Sequence, residues 1–164
     1  MEVFKDFLNK EEFKQLSNNI NSINFDWYFT TDAIQYKQDS PNLYNFQFFH
    51  YFYFEHKPRS SFPIVKNLID KLNPRSIIRI KANLQTSAHK IIEQGVHTDL
   101  IDTKNLKTAV YYLNTNNGYT RLEDEKKIYS EQNKIVIFDA GIKHTGTTCT
   151  DKQTRVVINI NYLP

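Results

Sequence analysis

The stretch SIIRIKANL, Ser76 to Leu84, alternates apolar and polar residues without a break. Successive side chains of a strand point to opposite sides, so Ile78, Ile80, Ala82 and Leu84 share one face and Arg79, Lys81 and Asn83 the other. A period of two is incompatible with an amphipathic helix. The texture returns in LKTAVYYLN (Leu106 to Asn114), in KIVIFDA (Lys134 to Ala140) and in TRVVININYL (Thr154 to Leu163). NNGY reads as a turn between two of these runs and Gly141 punctuates a third. Several short strands with turn signals between them predict a sandwich or small barrel.

The N-terminal half is different. FLNKEEFKQLSNNINSI reads as a helix, with Phe13, Leu16 and Ile20 at helical spacing. Asn9, with Glu12 three residues on, has the pattern of a capping box. FDWYFTT, Phe25 to Thr31, is aromatic and β-branched and reads as a strand. Ser40 to Asn42 marks a turn, and Leu43 to Phe54 is a dense aromatic run that reads as a strand buried on both faces. Pro63 to Leu72 is a second helix with Ile64, Leu68 and Leu72 along one side. NPR ends it. The expectation is one α+β, mainly β domain over 1–164. Residues 1–75 form a helical and strand layer, and 76–164 form the barrel-like core.

At 164 residues the chain has the length of one ordinary domain. Its formal net charge is +3, with Lys and Arg scattered rather than gathered into the stripe expected of a nucleic-acid binder. No apolar run has the ~18 residues needed to span a bilayer. The single cysteine, Cys149, cannot form an intrachain disulfide. MEVFKDFLNKEEF carries acids and lacks the apolar core of a signal peptide. A cytoplasmic protein is the expectation, with no membrane or nucleic-acid partner.

Within QGVHTDL, His97 and Asp99 stand two residues apart. Alone they could be two legs of a metal site or an ordinary surface pair. His144 follows the apolar run IVIFDAGIK, at the rim of a sheet, where loops carry function on a rigid scaffold. Eleven residues further on, Arg155 opens the last strand. Two histidines and a carboxylate with open positions left over make the facial triad of non-haem Fe(II) oxygenases. If the cosubstrate is a dicarboxylate, a planar guanidinium can hold its far end bidentately. His50 and His56, in or beside the aromatic run, read as packed or surface histidines, and His89 as exposed. Arg79 and Lys81 fit a solvated face as well as a functional one. Glu123 to Lys127 reads as a solvated turn.

The ordered set His97-x-Asp99, His144 and Arg155, with TAVYYLN, NGYT, IVIFDAGIKHTG and TRVVINI, resembles the Fe(II)- and 2-oxoglutarate-dependent dioxygenase superfamily, in its prolyl-4-hydroxylase-like branch. The match runs from about Ile77 to Tyr162. It departs from the branch's frequent double glycine, having only Gly118, and has arginine where relatives often have lysine. The resemblance implies a double-stranded β-helix, a jelly-roll or cupin-like barrel with the N-terminal helices packed on it. His97, Asp99 and His144 would hold Fe(II). Arg155 would bind 2-oxoglutarate, and Tyr112 would donate to the same carboxylate. Asn83 and Asn159 would also reach that cosubstrate. Arg59 to Phe62 and Asn116 to Arg121 would wall the pocket.

The implied reaction consumes O2 and 2-oxoglutarate, releases succinate and CO2, and hydroxylates a substrate C–H bond. The target would be a prolyl residue in a peptide or a free amino acid. Retention of Asp99 argues against halogenation. The alternatives are a nucleic-acid demethylase of the same superfamily, or a non-catalytic cupin-type binding module. The latter has no reason to keep an open metal face beside a dicarboxylate anchor.

Overall fold

A computed structural model describes residues 1–31, 46–100 and 105–164. In chain order the elements are β1 (Glu2–Phe4), α1 (Lys10–Ile20), β2 (Tyr28–Thr30), β3 (Gln47–Phe54), β4 (Lys57–Pro58), a 3-10 turn (Phe62–Val65), α2 (Lys66–Leu72), β5 (Ser76–Thr86), β6 (Lys107–Tyr112), β7 (Tyr119–Leu122), β8 (Lys127–Tyr129), β9 (Lys134–Asp139), β10 (His144–Gly146) and β11 (Thr154–Leu163). The expected turn at Ser40 to Asn42 and the start of the aromatic run lie outside the described residues.

The strands form two antiparallel sheets. The larger has the order β1-β9-β6-β11-β5-β3-β2, with β4 paired to β3, and the smaller is β10-β7-β8. This is the jelly-roll arrangement. The N-terminal segment is woven into it, since β1 pairs with β9 and β3 with β5. Among the described residues no helix is long and apolar enough to cross a membrane.

Alternation decides which side each residue serves. On the helix side, Ile80 and Ala82 of β5, and Ile158 and Ile160 of β11, pack with Leu16 and Ile20 of α1 and Leu68 of α2. All seven are almost fully buried. Each fully buried aliphatic of this size contributes roughly 1.5–3 kcal/mol. A second, smaller cluster lies between the sheets and includes Val110, Tyr112, Leu122, Val136 and Phe138.

The capping box is present: Asn9 Oδ1 accepts from the Glu12 amide at 2.9 Å, and Glu12 Oε2 accepts from the Asn9 amide at 3.1 Å. Asn73 closes α2 in the left-handed conformation, φ 50°.

Two expectations change in detail. The second helix begins as a 3-10 turn, with the α-helix starting only at Lys66. In β5 the register slips at Ile78: Asn161 pairs with Arg79, but Tyr162 pairs with Ile77. That β-bulge puts Ile77 against the core where strict alternation puts Ile78. The short strands β1, β4, β7, β8 and β10 carry too few residues to display a period. The Glu123 to Lys127 stretch is exposed, and most of it forms the tight turn joining β7 to β8.

Candidate active site

The two sheets enclose a cavity of about 420 Å³, within the range that takes a small ligand. Its polar wall comes from the sheet face opposite the helices. Arg79, Lys81 and Asn83 of β5 and Arg155 and Asn159 of β11 all line it.

At one end stand His97, Asp99 and His144, whose ligand atoms all lie within 4.8 Å of one another. His97 Nε2 is 3.8 Å from Asp99 Oδ1, and His144 Nε2 is 3.9 Å from Asp99 Oδ2. His144 is the first residue of β10. His97 is not in a strand, but its amide donates to the His144 carbonyl at 3.0 Å, and the His144 amide donates back at 2.9 Å. One reciprocal pair of backbone bonds thus sets both histidines side by side, their ring centres 4.7 Å apart.

The outer partners fix the protons. His97 Nδ1 contacts the Gly95 carbonyl at 2.9 Å and His144 Nδ1 the Ile142 carbonyl at 3.1 Å. A carbonyl only accepts, so each ring carries a proton on Nδ1 and turns a bare Nε2 lone pair inward. Burial, then the neighbouring His144, pull His97 below its ordinary value, so the ring stays neutral, as a metal ligand must be.

Asp99 has a side chain only 4% exposed. Its Oδ1 accepts from Arg79 Nη2 at 2.8 Å. Its Oδ2 accepts from Asn161 Nδ2 at 2.9 Å and from the Thr108 hydroxyl at 3.4 Å. Burial pushes this carboxyl up, but Arg79, His144 and Asn161 outweigh it and hold it below the ordinary 3.8. A carboxylate has about four lone-pair sites, so lone pairs remain for a metal.

At the other end Arg155 is 3% exposed. Its Nε donates to Ser130 Oγ at 2.9 Å and its Nη2 to Thr120 Oγ1 at 3.1 Å. Among the described residues no carboxylate pairs with it. Burial disfavours its charge, yet a guanidinium does not give up its proton in a protein. A buried cation without an anion is costly unless a ligand supplies one. Gly118 makes this seat possible: a Cβ there would lie 2.6 Å from Arg155 Cδ and 2.7 Å from the Thr148 carbonyl.

Asn83 and Asn159 both line the cavity, and each has a buried Oδ1 without a hydrogen-bond partner. An amide can turn either its oxygen or its N–H2 to a ligand. Tyr112 is elsewhere. Its ring lies 5.7 Å from the Arg155 guanidinium carbon, its hydroxyl donates to Thr120 Oγ1 at 2.9 Å, and it is absent from the cavity wall. The side chain stands behind Arg155 and under β7, because alternation assigns the face of a residue but not how far its neighbours let it reach. Of the two stretches expected to wall the pocket, Asn116 to Arg121 contributes Thr120 and Arg59 to Phe62 contributes nothing. His50 is a packed histidine, held between the Asp26 carbonyl at 2.7 Å and Ser61 Oγ at 2.6 Å.

Sequence reasoning missed Arg79 and Asn161 as the partners of Asp99. Their signal was faint: both lie on the polar side of alternating strands, where solvated residues are equally at home.

No protein-family model matches the chain, and no curated protein matches it in sequence. Solved structures do. A prolyl-4-hydroxylase from Pseudomonas putida superposes with a TM-score of 0.60 at 12% identity, covering 99% of this chain and 91% of that one. A prolyl hydroxylase from Trichoplax adhaerens, solved with a hypoxia inducible factor peptide fragment, gives 0.63 at 13%, covering 99% and 83%. An oxidoreductase of the 2OG-Fe(II) oxygenase family from Burkholderia pseudomallei gives 0.64 at 10%, covering 99% and 84%. The fold is therefore the jelly roll of the 2-oxoglutarate- and Fe(II)-dependent oxygenases.

Proposed function

We propose that the protein is an Fe(II)- and 2-oxoglutarate-dependent dioxygenase that hydroxylates a C–H bond of a prolyl residue in a peptide or of a free amino acid. One observation carries the reading. A single cavity has two neutral imidazoles and a carboxylate converging at one end, and a buried guanidinium without an anion at the other.

The residues fit both groups. His97, Asp99 and His144 would hold Fe(II), a donor set suited to non-haem iron with positions left open. Arg155 would receive the far carboxylate of 2-oxoglutarate, and the unsatisfied Asn83 and Asn159 amides would line its path. When bound, the iron and its cosubstrate supply the oxidising power that breaks the C–H bond and releases succinate and CO2. This chain's own task is positioning. Arg79 and Asn161 orient Asp99, the Gly95 and Ile142 carbonyls keep the histidine protons on Nδ1, and the buried walls limit water.

The test is anaerobic titration with Fe(II) and then 2-oxoglutarate, followed by the weak visible charge-transfer band of the chelate. Wild type gives the band. His97→Ala lacks it, and Arg155→Ala needs much more 2-oxoglutarate to reach it. A folded wild-type protein without the band overturns the reading and leaves a cupin-type binding module.

A further inference from the structure

Lys81 has no part in the arrangement just described. It lines the same cavity, between Arg79 and Asn83 on β5. Its register partners are Asn159 on β11 and Tyr51 on β3. The ammonium lies 5.1 Å from the centre of the Phe49 ring and 5.6 Å from that of Tyr51. Among the described residues it makes no ion pair and no hydrogen bond.

The charges of the cavity wall do not balance. Arg79, Lys81 and Arg155 face one carboxylate, Asp99. Arg79 is matched by Asp99 at 2.8 Å. Arg155 is matched, on the proposed function, by the far end of 2-oxoglutarate. Lys81 is left over. Burial and the nearby Arg79 pull it down to about 8, as expected for an ammonium that lacks an anion. Outward from it the surface stays aromatic. Tyr28, more than half exposed, lies 5.9 Å from Phe49, and Tyr51 stacks on Phe54 at 4.3 Å.

We propose that the substrate carries a free carboxylate, which Lys81 receives while the apolar body of the substrate lies over Phe49 and Tyr51. This rests on the proposed function and deepens it. An internal prolyl residue has no charge to offer Lys81, so the free amino acid, or a peptide ending in a free acid, is the target. Charge complementarity of this kind gives specificity as well as attraction.

The experiment uses the full chain, loaded with Fe(II) and 2-oxoglutarate without oxygen. Calorimetry measures binding of the common L-amino acids, each beside its amide, of short peptides ending in a free acid beside their amidated forms, and of an internal-prolyl peptide. The chelate band is recorded first. At least one acid binds at least tenfold more tightly than its amide, and the free and peptide arms identify the source of the carboxylate. Lys81→Met removes that preference and leaves the 2-oxoglutarate titration within a factor of three. Lys81→Arg retains the preference. The inference is overturned if acids and amides bind alike, if only the internal-prolyl peptide binds, if no probe binds a protein that shows the band, or if Lys81→Met weakens 2-oxoglutarate tenfold. A missing band instead overturns the proposed function itself, so the two failures are told apart.

Discussion

The two ends of the cavity treat charge in opposite ways. At the histidine end every charge is answered: Asp99 accepts from Arg79, Asn161 and Thr108, and each imidazole donates to a carbonyl. At the far end Arg155 is held only by hydroxyls, with a carbonyl 3.5 Å away. The first end is built in advance of its ligand, and its geometry survives without it. The second is completed by a ligand and selects for its charge.

The largest way to break this contrast is Asp99→Ala. It removes one ligand and leaves Arg79 and Asn161 without their acceptor, so saturable metal binding measured by calorimetry is expected to disappear. Arg79→Ala is gentler. It should weaken metal binding by about 10- to 100-fold, the usual cost of losing an outer partner. It should also change the acid limb. A carboxylate held below its ordinary value stabilises the fold above that value, and the contribution is lost as pH falls through the folded one. Without Arg79 the burial of Asp99 is less well opposed, its folded value rises, and acid unfolding followed by circular dichroism should begin at higher pH.

At the other end, Gly118→Ala pushes a methyl group against Arg155 and the Thr148 carbonyl. A loss of about 1–3 kcal/mol in denaturant unfolding is expected, with weaker 2-oxoglutarate binding and unchanged metal binding. The smallest effect is Asn9→Ala, which removes the cap of α1 at a cost of about 1 kcal/mol and disturbs neither end of the cavity. A change in metal or 2-oxoglutarate affinity from that variant would show that the helical layer and the site are coupled.

Much of this was legible in the sequence, for physical reasons. The strands β5, β6, β9 and β11 are long enough to display a period of two, and the capping box at Asn9 is a local device. The His97, Asp99 and His144 set was legible because metal chemistry restricts the residue types so severely. The pairing of Arg79 with Asp99 was not, because a polar strand face looks the same whether it meets water or a cavity. Tyr112 was assigned to the right face, but β7 and Arg155 lie between it and the cavity, and only the packing of three segments decides that. The bulge at Ile78 left no mark on a sequence that alternates perfectly through it.

The reciprocal amide bonds between His97 and His144 have a mechanical consequence. Two ligands far apart in the chain are pinned by the same two bonds, so neither can swing away without unlatching the other. Metal release then has no path through loosening one ligand at a time. It would be gated by the parting of β10 from the segment that carries His97. In hydrogen exchange those two amides should open as one event, and that event should become rarer when metal is added.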